Sequence, residues 1–517
     1  MGHPHCVIVG AGFSGIGAAI ALDRAGIHDY LIVDAAPEAG GTWFWNTYPG
    51  IGVDIPSFSY QFSFEQSPDW SRTYAPGREL KAYADHCVKK YGLRTRMRLA
   101  TTVTGAQFDA DAAVWRLQTD SGEIIARFVI NAAGVLTVPK LPDIPGVDSF
   151  AGVTMHTARW DHGRDLTGLR VGVIGTGASA VQAIPEIAPV AAHLTVFQRT
   201  PIWCFPKADL PLPLPVRWAM RIPGGKTFWR LLSQAYVEVT FPLSAHYATV
   251  LPLGKRAEAL GRSYLRSQVR DPQIRDQLTP RYAVGCKRPG FHNTYLSTYN
   301  RDDVHLVTDP IAAIRPGGVE TADGELHGLD VLILATGFSV MDVDTGGFPV
   351  IGAGGQSLAQ FWDTHRMQAY EGVSVPGFPN FFSVCGPYGY VGSSFFALIE
   401  TQTRHIVRCL REARRRGAAR VEIRPEANAR YFAEMMRKRR RQIFWQDSCA
   451  NANSYYFDKH GDVPLRPATT LAADWRSRRF DLDDYRFSGP PSDEPQRSPE
   501  VVGSRAVPTR HGRRTAR

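Results

Sequence analysis

Two glycine-rich segments of the sequence could each bind the phosphates of a dinucleotide. GAGFSG begins at Gly10 after the apolar run of residues 6–9, and GTGASA begins at Gly175 after the apolar run of residues 169–174. In a strand–loop–helix unit the first glycine allows a tight turn, and the N-terminus of the following helix binds phosphate. A helix-like stretch and a second apolar run follow both segments. The sequence therefore predicts two dinucleotide-binding units.

The first unit should contact its cofactor through the loop and through an acid at the end of its second strand. Gly12 lets the backbone approach a pyrophosphate, and Gly15 lets the helix pack on the strand. Asp34 is placed to accept a hydrogen bond from a ribose hydroxyl. The predicted loop contacts are Gly10, Gly12, Phe13, Ser14 and Gly15.

The second unit differs from the first at the end of its second strand. Residues 194–197 are followed by Gln198, Arg199 and Thr200 instead of an acid. An Arg at this place favours a ribose 2′-phosphate, although a plain surface Arg is the alternative. The sequence therefore predicts NADPH as the second cofactor. Its predicted contacts are Arg199, Thr200 and the loop residues Gly175, Thr176, Gly177, Ala178, Ser179 and Ala180.

Between the two units, residues 150–161 read FAGVTMHTARWD and belong to neither. Gly152 permits a tight bend. His156 and Trp160 are four positions apart, so we expect them to share a helical face. A His and a Trp on such a hinge could respond when one unit moves relative to the other. A packed linker between domains is the alternative interpretation.

Residues 40–54, GGTWFWNTYPGIGVD, are too rich in Gly, Trp and Tyr for a plain turn. Paired aromatic rings supply flat surface at a small entropic cost, and Pro49 with Gly50 sets a turn. Asp54 brings a charge to the end of the segment. The pattern predicts a loop that covers a cofactor through Gly41, Thr42, Trp43 and Asp54, with aromatic core packing as the alternative.

The last two segments resemble the signatures of Baeyer–Villiger monooxygenases, flavoproteins that insert an oxygen atom beside a ketone carbonyl. The spacing of Phe150, Gly152, His156, Trp160 and Asp161 carries the first signature, and residues 40–54 carry the second. The resemblance covers nearly the whole chain to about Phe487. It implies FAD and NADPH as cofactors, and a ketone and O2 as substrates. The product it implies is an ester or lactone, formed through a C4a-peroxyflavin.

The resemblance also implies roles for particular residues. Lys287 serves the cofactor's 2′-phosphate, and Arg288 lies at the flavin face, where a fixed cation stabilises a developing anion. Asp54 orients Arg288, while His156 and Trp160 couple domain movement to catalysis. The catalytic set is therefore Arg288, Asp54, His156 and Trp160. Further cofactor contacts are Tyr60, Val103, Thr336 and Gly337.

The sequence departs from the family pattern on the expected substrate side. Family members often have Asn after the Gly-Pro pair that ends at Pro387, where this chain has Tyr388. They often have His before the Ser pair, where this chain has Gly392. The segment GDVPLRPATT, residues 461–470, is atypical as well. We expect these positions to shape the ketone pocket, so the particular ketone stays open.

These observations predict an α/β fold with two Rossmann-like dinucleotide-binding domains and a helical insertion. Residues 1–145 and 340–487 should form a discontinuous FAD-binding domain. Residues 146–339 should form the NADPH-binding domain, with the insertion at about 205–282. The composition of residues 488–517, rich in Pro, Ser and Arg, predicts a disordered tail.

Composition narrows the class of protein. The chain has 517 residues, of which 44% are hydrophobic and 21% charged, as is typical of globular proteins. Seven cysteines, an odd number without a CxxC pair, suggest neither a disulfide framework nor a zinc site, and a reducing cytoplasm fits best. We expect no signal peptide, no stable membrane insertion and no metal. The formal charge of +10 comes partly from arginine clusters, interpreted as solvated helix faces rather than a nucleic-acid surface.

Two other functions compete with Baeyer–Villiger oxidation. One is a flavin-dependent monooxygenase that oxidises sulfur or nitrogen, although its hinge usually has Tyr where Trp160 stands. The other is an oxidase-like NADPH-binding module that uses oxygen without a substrate. Flavin disulfide reductases share the two-domain layout, but they need a redox cysteine pair, and the lack of a CxxC pair argues against them. The oligomeric state is open.

Overall fold

The structure of the protein is a computed structural model that describes residues 4–250, 253–340 and 347–489. The chain contains both helices and strands, and two five-stranded parallel sheets organise it. The expectation of a disordered tail concerns residues 488–517, and it lies almost entirely outside the described residues.

The described strands run as follows: β1 Cys6–Val9, β2 Tyr30–Val33, β3 Met97–Arg98, β4 Val103–Asp109, β5 Val114–Thr119, β6 Gly122–Ala126, β7 Phe128–Asn131, β8 Val153–His156, β9 Arg170–Ile174, β10 His193–Phe197, β11 Cys204–Phe205, β12 Gly290–Phe291, β13 Val304–Val307, β14 Ile311–Arg315, β15 Gly318–Thr321, β16 Leu326–Gly328, β17 Val331–Leu334, β18 Val350–Ile351, β19 Phe381–Ser383, β20 Arg420–Ile423 and β21 Tyr485–Ser488.

The described helices run as follows: α1 Phe13–Arg24, α2 Thr42–Trp45, α3 Gly77–Lys90, α4 Ala178–Ile187, α5 Leu214–Arg221, α6 Gly225–Glu238, α7 Ser244–His246, α8 Leu253–Gln268, α9 Pro272–Gln277, α10 Tyr295–Thr298, α11 Leu358–His365, α12 Phe395–Arg416, α13 Pro425–Lys438 and α14 Thr470–Arg479.

The first parallel sheet has the strand order β19-β7-β1-β2-β3. All four residues of β1 are buried, as expected for a central parallel strand covered on both faces. Val9 pairs with Val33 on one side and with Asn131 on the other. The edge strand β19 comes from the last third of the chain and pairs with β7. This sheet is therefore built from two distant parts of the sequence.

The second parallel sheet has the strand order β13-β10-β9-β17-β8. Ile174 at the end of β9 pairs with Phe197 and with Leu334, so the ends of three strands meet at one edge. The predicted α/β fold with two dinucleotide-binding sheets is confirmed. Residues 114–131 contribute three strands, of which β5 and β6 form a hairpin and β7 joins the first sheet.

The helical insertion follows β11 and comprises α5 to α9. Trp203 and Phe205 belong to a core cluster with Phe444 and Tyr456, so the base of the insertion packs against a later part of the chain. No helix among the described residues is long and apolar enough to span a lipid bilayer.

Candidate active site

The carboxyl ends of β1 and β9 open on one cavity of about 2120 Å³. Its wall includes Gly10 and Asp34 beside the first sheet, and Gly175 and Arg199 beside the second. Ligands of open parallel sheets bind outside the carboxyl ends of the strands. One cavity can therefore receive two dinucleotides, one from each sheet.

Gly10 and Gly175 occupy equivalent places in the two glycine-rich loops. Their φ angles are 111° and 113°, a region that side chains rarely adopt. A Cβ at Gly10 would lie 2.5 Å from the carbonyl oxygen of Ala132, and one at Gly175 would lie 2.6 Å from that of Ala335. Both loops therefore require glycine here for the same two reasons.

The helices that follow the loops begin at glycines, which have no side chain to cap them. Gly12 is the N-cap of α1, and Gly177 is the N-cap of α4. The first N–H groups of both helices are thus available to a phosphate. Gly15 differs, since a Cβ there would lie 1.8 Å from the carbonyl oxygen of Gly10. Gly15 and the buried Ala180 are packing residues outside the described cavity wall.

Asp34 lies directly after β2 and lines the cavity. Its carboxylate accepts hydrogen bonds from the N–H groups of Ala11 at 2.5 Å and Ala36 at 2.7 Å. Burial raises the pKa of Asp34, and these two backbone donors oppose the rise. The loop therefore fixes the carboxylate, whose other lone pairs can accept from a ribose hydroxyl.

Lys287 and Arg199 bring two positive charges to the part of the cavity beside the second sheet. Burial and then the charge of Arg199 lower the pKa of Lys287 to about 8. Thr200 follows Arg199 in the sequence, and its carbonyl oxygen accepts a hydrogen bond from the Thr176 hydroxyl at 3.0 Å. Its own hydroxyl accepts from the amide of Asn453 at 2.9 Å. An anion bound beside the two cations would relieve their repulsion.

Arg288 and Asp54 form a bidentate ion pair on the cavity wall. Nε of Arg288 lies 2.5 Å from one carboxylate oxygen of Asp54, and Nη2 lies 2.8 Å from the other. About a quarter of each side chain is exposed, 23% and 27%. Burial disfavours both charges, but each charge stabilises the other. The pKa of Arg288 is raised well above its usual value, and that of Asp54 is lowered. The site therefore holds a permanent cation.

A disulfide bond anchors the turn that carries Lys287 and Arg288. Cys286 and Cys449 are joined, with their Cα atoms 5.3 Å apart, although 163 positions separate them in sequence. The expectation that the cysteines form no disulfide is thus wrong. Spacing cannot reveal a pair that only tertiary packing brings together, and an odd total of cysteines does not exclude a bridge. The bridge joins the turn before Lys287 and Arg288 to the segment that carries Trp445 and Asn453.

The aromatic loop of residues 40–54 is anchored to the second unit by one buried side chain. Gln182 of α4 accepts a hydrogen bond from the Tyr48 hydroxyl at 2.8 Å and donates one to the Gly52 carbonyl at 2.8 Å. Asp54 follows two residues later. Trp43 of the same loop packs edge-on against Tyr60, and both line the cavity.

The hinge segment contains a strand end instead of the expected helical face. His156 is the last residue of β8, residues 157–159 form a single 3-10 turn, and Trp160 is extended. His156 and Trp160 therefore do not share a helical face, and neither belongs to the described cavity wall. Burial and then the nearby Arg159 lower the pKa of His156.

Arg159 is the residue of the hinge that reaches the cavity. Its guanidinium lies 4.0 Å from the ring centroid of Trp45 in the aromatic loop. Sequence analysis passed over it, although an Arg between a His and a Trp in the hinge was a visible signal. His156 and Trp160 thus lie beside the residue that touches the cavity.

The other predicted cofactor contacts also lie on the cavity wall. The Thr336 hydroxyl donates to the Lys140 carbonyl, and the Lys140 N–H donates to the Gly337 carbonyl at 2.9 Å. Of the predicted contacts, those that line the cavity are Gly10, Gly12, Phe13, Ser14, Asp34, Gly41, Thr42, Trp43, Asp54, Tyr60, Val103, Gly175, Thr176, Gly177, Ala178, Ser179, Arg199, Thr200, Lys287, Arg288, Thr336 and Gly337.

Two tyrosines that sequence analysis did not single out stand near Arg288. Tyr390 and Tyr456 both line the cavity. Burial raises the pKa of each hydroxyl, and the positive charge of Arg288 opposes the rise. The Tyr390 hydroxyl donates to the Ser393 carbonyl at 2.5 Å. No short-range motif marks these positions, because only the fold brings them to Arg288.

The atypical Tyr388 and Gly392 are both explained by packing. Tyr388 is 1% exposed and lies outside the described cavity wall, so Tyr390, two residues later, faces the cavity instead. Gly392 has a φ of 82°, and a Cβ there would lie 2.0 Å from the ring of Phe241. The insertion therefore occupies the space that a side chain at position 392 would need.

Buried ion pairs hold the atypical segment of residues 461–470. Asp462 pairs with Arg366 and Arg439, while Arg466 pairs with Glu371. Asp462, Arg466 and Glu371 are all nearly fully buried. Pro464 and Leu465, which lie between the two ion-pair centres, line the cavity. The two ion-pair centres therefore hold residues 461–470 in place as part of the cavity wall.

Comparison with known proteins agrees with this geometry. Residues 7–214 match the family model described as Pyridine nucleotide-disulphide oxidoreductase. Within that range, which the structure describes throughout, the cysteines are Cys87 and Cys204, both buried and unbridged. The match therefore reports the dinucleotide fold and not a redox disulfide.

Relatives that are similar over the whole chain indicate the family more specifically than this match does. A Baeyer–Villiger monooxygenase of Streptomyces coelicolor is 34% identical over 509 residues, covering 98% of this chain and 95% of that protein. The structure of OTEMO in complex with FAD and NADP has a TM-score of 0.84 and 28% identity, covering 94% of this chain and 100% of that one. Oxidised steroid monooxygenase bound to NADP has a TM-score of 0.83 and 31% identity, covering 95% and 100%.

Two dinucleotide-binding sheets around one cavity, with a fixed cation in its wall, define a two-dinucleotide flavoprotein oxidoreductase. The whole-length similarity narrows this class further. The chain belongs to the Baeyer–Villiger monooxygenase family.

Proposed function

We propose that this protein is a Baeyer–Villiger monooxygenase that uses FAD, NADPH and O2 to convert a ketone into an ester or lactone. The observation that carries the proposal is the Arg288–Asp54 ion pair on the wall of a cavity that both dinucleotide loops enter. We assign residues 1–145 and 340–487 to FAD binding, and residues 146–339 to NADPH binding with the insertion at about 205–282.

The residues of the first loop fit FAD. The glycine N-cap of α1 leaves N–H groups for the pyrophosphate, and Asp34 can accept from a ribose hydroxyl. Trp43 and Tyr60 supply flat apolar surface beside them.

The residues of the second loop fit NADPH rather than NADH. The glycine N-cap of α4 repeats the phosphate site. Arg199 and Lys287 supply the charge that a 2′-phosphate requires, and Lys287 is protonated at neutral pH because its pKa is about 8.

When bound, the two cofactors supply the electrons and the oxygen chemistry of the reaction. The chain supplies Arg288, a cation that cannot lose its proton at working pH. A preorganised cation stabilises negative charge that develops nearby. Asp54 fixes the plane of the guanidinium through two hydrogen bonds, which directs its remaining N–H groups.

His156 and Trp160 act at a distance in this proposal. Both lie beside Arg159, which touches the aromatic loop through Trp45. A movement of β8 relative to the first sheet would therefore reach the loop that leads to Asp54. We propose that the hinge couples movement of the two units to catalysis in this way.

The test is product analysis of the purified holoprotein with NADPH and ¹⁸O2. Incorporation of one labelled oxygen atom into an ester or lactone from a ketone supports the proposal. Oxygenation of thioethers or amines with no ester from any ketone would assign the protein to sulfur or nitrogen oxidation. Peroxide as the only product would assign it to the oxidase-like class.

The ketone and O2 are the proposed partners, and nucleic acid is not one of them. Four of the five cysteines outside the bridge are buried. We propose the cytoplasm as the location, and the buried Cys286–Cys449 bridge then has to form by oxidation during maturation. Thiol counting on protein alkylated at cell lysis tests this.

A further inference from the structure

Helix α6 exposes most of its large apolar side chains to solvent. Its inward side combines the core residues Trp229 and Val237 with three polar side chains. Arg230 donates to the Gln61 carbonyl at 2.8 Å, Ser233 bonds the Ser59 hydroxyl at 2.8 Å, and Gln234 donates to the Ser393 hydroxyl at 3.0 Å. Its outer face is apolar, with exposed Phe228, Leu231, Leu232, Tyr236 and Val239.

The apolar surface extends over two neighbouring helices. Helix α5, which packs against α6, exposes Leu214 and Trp218, and the exposed Ile222 directly follows it. At the other end, the Thr470 N–H donates to the carboxylate of Glu238, which brings α14 beside the end of α6. The exposed apolar side chains of this face, each 47–78% exposed, are Leu214, Trp218, Ile222, Phe228, Leu231, Leu232, Tyr236, Val239, Leu471 and Trp475.

We call the surface formed by these exposed side chains the apolar face. The charged side chains around it are mostly positive. Apart from the inward-facing Arg230, residues 214–239 contain three cations, Arg217, Arg221 and Lys226, and one carboxylate, Glu238. Arg221 pairs with Asp69. In α14 the guanidinium of Arg479 lies 5.1 Å from the ring centroid of Trp475. Aromatic and aliphatic side chains on one helix face, flanked by cations, are typical of helices that lie in a membrane interface.

We propose that the apolar face docks on the surface of an anionic phospholipid bilayer. The acyl region would receive the apolar side chains, and the lipid phosphates would receive the flanking cations. The helices lie on the bilayer without crossing it.

Two other occupants fit less well. A second copy of the chain in a two-fold dimer would place the same cations opposite each other, which costs free energy. The tail of residues 490–517 contains six Arg and three carboxylates, so it has the same sign of charge as the rim of the face. Only an anionic apolar partner matches both the side chains and the charge.

The proposed face shares a structural element with the cavity wall. Helix α6 continues directly into Phe241, whose ring centroid lies 6.2 Å from that of Tyr456. Tyr456 lines the cavity. The docking itself does not depend on the oxidation chemistry, so the two proposals can fail separately.

The experiment is flotation of the full-length protein, with FAD and NADP⁺ added, on vesicles of two compositions. One is phosphatidylcholine alone, and the other is phosphatidylcholine mixed with phosphatidylglycerol. We expect binding to the mixed vesicles that weakens in high salt. The double variant Leu231→Ser, Leu232→Ser should bind about a hundredfold more weakly, since each of the two lost apolar contacts is worth roughly a factor of ten. The matched control is Val190→Ser, Leu326→Ser, at comparably exposed positions elsewhere.

Flavin content and thermal melting check that each variant is folded. A wild-type protein that does not float, or that floats equally on neutral vesicles, overturns the proposal. A dimer in sedimentation equilibrium that the Leu231, Leu232 variant abolishes, without flotation, assigns the face to a second copy. Flotation only after deletion of residues 490–517 assigns it to the tail. Equal flotation of the Leu231, Leu232 variant and wild type also overturns the proposal.

Discussion

Arg288 and Asp54 are 234 positions apart in sequence, yet two hydrogen bonds join them on the wall of the cavity. The pair combines a residue after the disulfide turn of the second unit with a residue at the end of the aromatic loop of the first. A movement of either unit would therefore change the direction in which the guanidinium points. The ion pair is a contact between the two halves as well as a charged group of the site.

Replacing Arg288 separates cofactor use from product formation. Arg288→Ala should leave FAD bound and NADPH oxidation measurable, while ester formation falls by about a hundredfold to a thousandfold. Arg288→Lys keeps the charge but loses the planar bidentate contact, so an intermediate yield is expected. Product yield per NADPH measures this. A wild-type yield from Arg288→Ala would remove Arg288 from catalysis.

The preference for NADPH should depend on pH through Lys287. Its pKa is lowered to about 8, so the side chain is charged below that pH and neutral above it. The ratio of kcat/KM for NADPH to that for NADH should therefore fall as pH rises through about 8, because kcat/KM reports the free enzyme. Lys287→Arg, which stays charged, is the control and should show no such fall.

Replacing Arg199 should change both the KM for NADPH and the pH dependence of the preference for NADPH. Arg199→Ala removes one charge from the proposed 2′-phosphate site, so the KM for NADPH should rise far more than that for NADH. It also removes a charge that lowers the pKa of Lys287, so the fall in preference should move to higher pH. Equal effects on both cofactors, with an unmoved pH profile, would contradict this assignment.

The Cys286–Cys449 bridge should stabilise the folded protein. It joins positions 163 apart, and removing a bridge over a long loop typically costs about 2–4 kcal/mol. The double variant Cys286→Ser, Cys449→Ser should melt at a lower temperature than wild type under oxidising conditions and at the same temperature in dithiothreitol. Peptide mapping without reduction should find the two cysteines linked. Finding seven free thiols in the native protein would disprove the bridge.

Gly392 and Phe241 should be energetically coupled. Gly392→Ala places a methyl group 2.0 Å from the Phe241 ring at a φ of 82°, so we expect a loss of about 2–4 kcal/mol in the free energy of unfolding. Phe241→Ala should cost about 3–5 kcal/mol through its cavity. Because the second change makes room for the first, the double variant should lose less than the sum. Simple additivity in denaturant unfolding would show that the overlap relaxes elsewhere.

The sequence determined the parts of this protein that depend on local backbone geometry. Gly10 and Gly175 predict two glycine-rich loops, because a positive φ and a nearby carbonyl oxygen leave no room for a side chain at either position. The apolar runs that flank the loops predict buried parallel strands. Asp34 and Arg199 follow from their places at the ends of the second strands. The ion pair of Arg288 with Asp54 was expected only through resemblance to a family, since nothing local links the two positions.

Tertiary structure decided the features that depend on distant parts of the chain. Folding joins Cys286 to Cys449, ends a strand at His156 where spacing suggested a helix, and brings Tyr390 and Tyr456 to Arg288. It also leaves one apolar side of α6 exposed, because the side that carries Trp229, Val237 and the hydrogen-bonded Ser233 packs on the first domain. Periodicity shows that a helix has two faces, but the neighbours of the helix decide which face is covered.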